Sequence, residues 1–587
     1  MRAAVPGLFM ALALPLADAR SDRPNIVVFL ADDQGWGDLS IHGNADLATP
    51  RIDSLAQQGV AFDRFFVCPV CAPTRAEFLT GRFAPRTGVR GVTRGEERLN
   101  ADETTIAQVF RAAGYATGIF GKWHNGSQPP YHPNSRGFDE FYGFTSGHHA
   151  HYFDPELEHN DRIVKGKGYI ADDLTNHAIA FIRQKRETPF FCYIPYCTPH
   201  SPMQVPDEFW DRHKNRNPAG HRDQRSDINH HRAALAMVEN LDWNVGRVLM
   251  ALKELGLSEN TIVVYFSDNG PNGHRWNGGM RGIKGSVYDG GTRSPLHIRW
   301  PAKIKPGSRV ERNTAAIDLL PTLAGLAGVP FQAAKPFDGR DLSLLLLGGK
   351  VDWDERMLFT LHVNGRRAKW GVRHGSFRYY HDGELHIVSN DPGQTTDISS
   401  SHSDQVALMK AAGEAFLREV EPKIVLPDPR PLPVGVAAVT QLPARDGRGE
   451  GGVKRSSIHP NSSFFTAWTG VEQRIVWDIE VATTGTYEAI LHYTCPAGDE
   501  GSRVRLSFGG HSVAAAIAEP NNPPLLGSEQ DRSPRSESYA KDFKPLPLGT
   551  LELTAGKGPL VLTAETVQGN TVADVRRLIL VRRPGTK

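Results

Sequence analysis

The sequence predicts an α/β domain built on a mostly parallel sheet with helices on both faces, followed by an all-β C-terminal sandwich or jelly roll. Three observations carry this. Four stretches share one form, an apolar β-branched or aromatic run followed at once by polar residues: "NIVVFLADDQGWGD", "YATGIFGKWHNG", "PFFCYIPYCTPHSP" and "TIVVYFSDNGP". Runs that are apolar without alternation read as strands buried on both faces, as in a parallel sheet covered by helices. Helical patterns lie between them. Leu241, Val245, Val248, Leu252 and Leu255 fall on one helical stripe, and "LGLSEN" turns the chain into the next strand. Third, the apolar period changes to two beyond a proline-rich stretch near residue 430.

From the N-terminus, "MRAAVPGLFMALALPLADAR" has one basic residue, an apolar run from Val5 to Ala17 and an Ala17-Asp18-Ala19 end, the layout of an export signal over residues 1–19. The run is shorter than the roughly 20 apolar residues needed to cross a bilayer, and no later stretch is long enough. The mature chain is expected to be periplasmic or secreted, with no integral membrane association. A length of 587 residues implies more than one domain. Residues 20–423 are expected to form the α/β domain with its own C-terminal subdomain, residues 424–436 ("IVLPDPRPLPVG") a proline-rich linker, and residues 437–587 the β-sandwich. There, "QRIVWDIEVATTGTYEAILHYT" reads as two alternating runs paired across a Thr-Gly turn, with "SRVRLSFGG", "GPLVLTAE" and "DVRRLILVRR" as further strands. Sandwiches of this type often bind carbohydrate, and a purely structural cap is the alternative reading.

With 67 basic against 65 acidic side chains, nothing points to nucleic acid as a partner. Five cysteines in so long a chain are not a disulfide framework. Cys192 and Cys197 are an odd number apart, so on one strand they face opposite sides. Cys68 and Cys71 in "CPVCAPTRAEFLTGR" form a C-x-x-C pair that the residues alone read as a redox pair, half of a zinc site or half of a disulfide. The flanks do not suggest a thioredoxin-like unit, and Cys192, Cys197 and Cys495 supply no second zinc pair.

In open α/β sheets, ligands bind beyond the carboxyl ends of the strands, where all four runs deliver their polar residues. Asp32, Asp33, Asp268 and Asn269 offer oxygen only, which favours a hard cation such as Ca²⁺ over zinc. Lys122, His124 and His200 add positive charge and proton-transfer capacity, a combination suited to a tetrahedral oxyanion. In "FTSGHHAHYFDPELEHN", His148, His149, His151 and His159 lie close in sequence, as a substrate wall, a solvated loop or a second metal site. His274, Arg275, Trp276 and Asn277 follow the oxygen donors closely enough to touch a bound ligand and are specificity candidates.

Cys71-Ala72-Pro73-Thr74-Arg75 followed by "AEFLTGR" resembles the C-x-P-x-R signature of the type I sulfatases. The resemblance continues in family order through "ADDQGWGD", "TPRIDSLAQQGVAF", "GKWH", "TPHSP", "SDNGP", "GIKGSVYDGGTRSP" and "NDPGQTTDI", covering roughly residues 22 to 420. It implies an alkaline-phosphatase-like fold, a formylglycine made from Cys71 by a maturase, one Ca²⁺ and a sulfated carbohydrate substrate. It further implies that Asp32, Asp33, Asp268 and Asn269 bind the metal beside residue 71. Arg75 and Lys122 orient the hydrated aldehyde, His124 is the base that triggers sulfate release, His200 is the acid that protonates the departing oxygen, and Lys284 binds sulfate. Cys68 becomes a bystander. Thr74 stands where serine is commoner, and Asp289 replaces a more usual glutamate. Two rival readings fit the same blocks. One is a phosphate or phosphonate ester hydrolase of the same superfamily, against which stands the single hard-cation site. The other is a non-catalytic glycan-binding protein, against which stands the occupation of every expected catalytic position.

Overall fold

The computed structural model describes residues 23–220, 227–364 and 367–584, so the expected export signal at residues 1–19 lies outside the described residues. A ten-stranded sheet forms the centre, in the order Ser308–Val310, Val60–Phe62, Leu296–Arg299, Thr261–Ser267, Asn25–Ala31, Phe190–Pro195, Ala116–Lys122, Glu140–Phe144, Glu156–His159, Arg162–Lys165. The strands from Thr261–Ser267 to Glu140–Phe144 are mutually parallel. Leu296–Arg299 runs antiparallel to both of its neighbours. All four stretches singled out by their unbroken apolar runs are thus adjacent strands of one parallel block.

Why those runs do not alternate is visible in the packing. Ile26, Val28 and Leu30 point into one core with Ala72, Ala76 and Leu79 of the helix Cys71–Thr80 and with Phe110. Val27, Phe29 and Ala31 point into the other, against the helices Ile170–Gln184 and Ile228–Glu254. Both faces are covered by packed helices, so both must be apolar; each buried Val, Ile, Leu or Phe contributes about 1.5–3 kcal/mol. The stripe Leu241, Val245, Val248 and Leu252 is buried, and Leu255 caps the helix end before Gly256 turns the chain at φ 68°. Among the described residues no helix is long and apolar enough to cross a membrane.

Residues beyond the central sheet form a four-stranded antiparallel sheet, Leu358–Asn364, Arg367–His374, Phe377–Tyr380 and Leu385–Ile387, backed by the helix Ser403–Val420. Asp289 joins this subdomain to the main one. Its buried carboxylate pairs with Arg373 and lies 3.8 Å from Arg378 Nε, so the aspartate at this position serves an internal tie.

The C-terminal region is a sandwich of two six-stranded, largely antiparallel sheets over a core that includes Trp468, Trp477, Tyr487 and Leu578. Two expectations are corrected. Arg474–Val481 and Gly485–Thr494 do not pair with each other: the first pairs with Gly556–Thr566 in one sheet, the second with Lys544–Leu553 and Asp574–Arg582 in the other. Their apolar faces meet across the core, so the Thr-Gly turn crosses between layers. The stretch 424–436 is not all linker. Leu432–Val434 is a strand paired parallel with Ile479–Val481. Before it, Arg430 donates to the carbonyls of Arg98 and Gly95 and to Asn100 Oδ1 while paired with Asp428 at 2.6 Å, which clamps the connector to the α/β domain.

Candidate active site

The parallel strands share one direction, so their carboxyl ends share one edge, where residues far apart in the chain meet. Cys71 opens the helix Cys71–Thr80, Val70 before it being extended, and Pro73 sits in the first turn, where a missing N–H is tolerated. The helix is buried along its whole length. Burial raises the Cys71 thiol, while Lys122 and Lys284 pull it down. Thr74 fixes the loop to the sheet: its hydroxyl donates to Asp268 O at 2.5 Å and accepts from Cys68 N at 2.8 Å. Asn125 Nδ2 donates to Ala72 O at 3.2 Å, supporting the same turn from the other side.

Asp32, Asp33, Arg75, Lys122, Asp268 and Asn269 are all fully buried. Arg75 donates to Asp268 Oδ2 through Nε at 3.0 Å and Nη2 at 2.8 Å, and through Nη1 to Lys122 O at 2.7 Å. Lys122 Nζ meets Asp32 Oδ2 at 2.6 Å, and Lys284 Nζ meets Asp33 Oδ1 at 2.7 Å. Burial and the neighbouring Asp32 push the Asp268 carboxyl up to about 6 against the pull of Arg75. For Asp33, burial is overcome by Lys284, His200 and an Asn269 hydrogen bond, which hold it well below the usual carboxylate range. Asp33 sits in the left-handed region at φ 67°, as does His124 at φ 64°; such backbone costs of order 1 kcal/mol and is held by the packing around it.

Ligand atoms of Asp32, Cys71 and Asp268 lie within 4.8 Å of one another. Asp32 Oδ1 and Asn269 Oδ1 are buried without a hydrogen-bond partner among the described residues. Asn269 Nδ2 donates to Asp33 Oδ1 at 2.8 Å, which turns Oδ1 away as a free acceptor. Orphaned oxygens with no imidazole among them fit a hard cation.

The histidines are oriented by main-chain carbonyls. His124 Nε2 donates to Val92 O at 2.8 Å, so its buried Nδ1, without a partner among the described residues, is the free acceptor. His200 Nδ1 donates to Ser201 O at 2.7 Å, leaving Nε2 free, 3.7 Å from Asp33 Oδ2. Burial and Lys284 bring His200 down to about 4. His148 stacks on His200 with ring centroids 5.7 Å apart.

The other specificity candidates disperse. His149 turns away from His148, with its ring nitrogens 2.8 Å from the carbonyls of His151 and Glu156. His151 packs beside Gly527 of the sandwich, and His159 lies 3.7 Å from Glu140. Arg275 is buried on Asp38, Nη2 to Oδ2 at 2.7 Å, and also donates to Asp33 O at 2.9 Å, so its guanidinium braces the loop after Asp33. His274 is exposed, and the main chain of Trp276 and Asn277 packs where a Cβ on Gly37 would fall. Cys68, Cys192, Cys197 and Cys495 are buried and free, as is Cys71. Sequence reasoning missed Asn125, although it directly follows the "GKWH" block, and it missed Asn461 of the sandwich, whose Nδ2 approaches Val92 O at 3.4 Å, the carbonyl that orients His124. No local pattern marks Asn461.

The family model for sulfatases matches residues 24–329, a span that ends before the sandwich. Arylsulfatase A of Homo sapiens is 32% identical over 508 residues, covering 77% of this chain and 96% of its own length. N-acetylgalactosamine-6-sulfatase of Mus musculus is 30% identical, covering 57% of this chain and 68% of its own. Among solved structures, Ps i-CgsB in complex with k-i-k-neocarrahexaose superposes with a TM-score of 0.61 at 30% identity, over 67% of this chain and 92% of its own. A phosphonate monoester hydrolase of Agrobacterium radiobacter, at 22% identity and a TM-score of 0.53 over 68% and 96%, shares the fold.

Gly147 links His124 and Asn461: a Cβ there would lie 2.5 Å from His124 Nε2 and 2.3 Å from Asn461 Nδ2. Gly147→Ala is therefore expected to keep the fold while displacing the imidazole by a fraction of an ångström, and to lower turnover by about 100-fold. Turnover and thermal melting measured on the same protein check this.

Proposed function

As this chain belongs to the sulfatase family and is a sulfuric ester hydrolase, we propose that it is exported and removes sulfate from sulfated carbohydrates, with a formylglycine made from Cys71 and one Ca²⁺. The observation that carries this is the convergence on Cys71 of an oxygen-only donor set with two buried cations, Arg75 and Lys122, and the partly exposed Lys284. Ps i-CgsB with its bound neocarrahexaose supports a carbohydrate substrate, and the layout of residues 1–19 supports export. Cys71 is only 3% exposed, so a maturase must reach it before the helix packs.

Asp32, Asp33, Asp268 and Asn269 would hold the cation beside residue 71, where it supplies positive charge that favours an ionised attacking oxygen. Hydrated formylglycine supplies two hydroxyls on one carbon, one to attack sulfur and one to release sulfate. Arg75 and Lys122, each anchored on a carboxylate, stand beside residue 71. Lys284 is the most open of the three cations, its side chain 20% exposed, and is placed to meet a sulfate oxygen. With Nδ1 committed to Ser201 O, His200 holds the transferable proton at Nε2 for the departing sugar oxygen. An anionic sulfate beside Nε2 favours the protonated ring and so offsets the depression seen without it. His124 is buried and kept neutral, and its Nδ1 accepts the proton lost when sulfate leaves.

Co-expression with a formylglycine-generating maturase is expected to convert Cys71 to an aldehyde reactive to hydrazide, and the protein is expected to release sulfate from members of a panel of sulfated mono- and oligosaccharides. Full activity with an intact Cys71 thiol would sink the mechanism; saccharide binding without turnover in converted protein would make this a binding protein.

Removal of metal with EGTA is expected to abolish activity, and Ca²⁺ to restore it. Restoration by Zn²⁺ alone would show that the donor set has been misread.

His200→Ala is expected to lower turnover of a sugar sulfate by about 100-fold or more, and to spare more activity on an activated aryl sulfate that leaves without a proton. His124→Ala should depress both substrates alike. The opposite pattern would exchange the two roles.

A further inference from the structure

Between the loop that carries His149 and the C-terminal sandwich lies a cavity of about 500 Å³, within the range that takes small ligands. A smaller hollow lined by Ser146, Asn461 and Arg445 adjoins it, sharing His149, Glu156, Arg576 and Arg577. The peptide joining His148 to His149 is the common wall: His148 stacks on His200 in the active site, and His149 lines the cavity.

Arg576 is the feature that needs explaining. It sits at a β-bulge in the strand Asp574–Arg582, because His492 pairs with Arg577 while Tyr493 pairs with Val575, so Arg576 has no partner in that ladder. A bulge re-aims a side chain, and here it brings two consecutive arginines to one cavity, where strict alternation would point them to opposite faces. Arg577 is paired with Glu156 and donates to Gln441 Oε1 at 3.2 Å. Arg576 donates only to Ser463 O, at 2.7 Å, and no carboxylate lies within ion-pair distance of it among the described residues. Burial and the nearby Arg445 bring its guanidinium down to about 10, the direction expected of a recessed cation that lacks an anion.

The rest of the lining is suited to a sugar. Phe464 and Phe543 form an apolar wall with ring centroids 5.4 Å apart, and Lys541 covers one side of Phe464 at 5.1 Å. Gln530 Oε1 and His151 Nδ1 are buried without partners among the described residues. Asp154, Glu529 and Asp542 lie at the exposed rim.

We propose that this cavity is a second carbohydrate-binding site, in which Arg576 pairs with a sulfate group of an extended sulfated chain and the phenylalanine wall packs against one of its rings. The inference rests on the carbohydrate sulfatase reading. It makes the sandwich part of substrate recognition, holding a sulfate other than the one being removed.

The test uses full-length protein carrying Cys71→Ser, so that nothing is turned over, and calorimetric titration with carrageenan-type and heparin-type hexasaccharides and their desulfated counterparts. At least one sulfated chain is expected to bind about tenfold or more tightly than its desulfated form, and Arg576→Gln to remove most of that difference. Phe543→Ala, a second and independent variant, is expected to weaken both forms by several-fold. In matured protein carrying Arg576→Gln, hydrolysis of a small aryl sulfate is expected to stay within about twofold of the parent while oligosaccharide kcat/KM falls about tenfold. Unchanged affinity in both variants would overturn the site. Binding that depends on Arg576 in a protein that cleaves no sulfated saccharide would instead leave the site standing and remove the catalytic reading.

Discussion

Asp32, Asp33 and Asp268 are buried at one sheet edge with Arg75 and Lys122, and the partly exposed Lys284 completes three carboxylates against three cations, so each buried charge depends on an opposite one beside it. Taking an ion out of water costs several kcal/mol, and removing one member of a buried pair typically costs about 3–5 kcal/mol because its partner is left uncompensated. The surrounding contacts follow from that constraint. Thr74 and Asn125 lock the Cys71 turn against the same strand ends, and Arg275 with Asp38 braces the loop after Asp33. Balanced in this way, the site still has the orphaned oxygens of Asp32 and Asn269, which is where a further cation would find its ligands.

The sandwich is built into this arrangement and does not hang from a free linker. Arg430 clamps the connector to the loop at residues 95–100, Arg445 bonds Ser127, Asn461 reaches Val92 O, and Gln204 donates to Gly527 O at 2.7 Å. Two of these contacts fall beside segments that orient catalytic candidates: Val92 O sets the tautomer of His124, and Gln204 follows the turn that carries His200. An all-β region outside the family-matched span therefore helps to define both the back of the site and the cavity around Arg576.

The parallel block was legible because its signal is local. A strand buried on both faces needs an unbroken apolar run, and a catalytic loop at its carboxyl end needs polar residues immediately after it, so Asp32, Lys122, His124, His200 and Asp268 could be read directly. The long helix was legible for the same reason, since its stripe repeats within four residues. Alternation in the sandwich showed which residues face inward. It carried no information on partners, and for that reason the two runs on either side of the Thr-Gly turn were expected to pair when in fact they face each other from opposite sheets.

By itself, then, the sequence determined the fold class, the identity of the strand-end residues and their chemistry, because apolar period and residue type are properties of a few consecutive positions. Only the tertiary structure decided that His148 and His149 part company, that Arg275 is spent on Asp38, and that Asn461 arrives behind His124 across more than 300 residues of chain. Such contacts are set by how layers pack and by which buried charge must find its opposite. Neither condition is written in any short stretch of the chain.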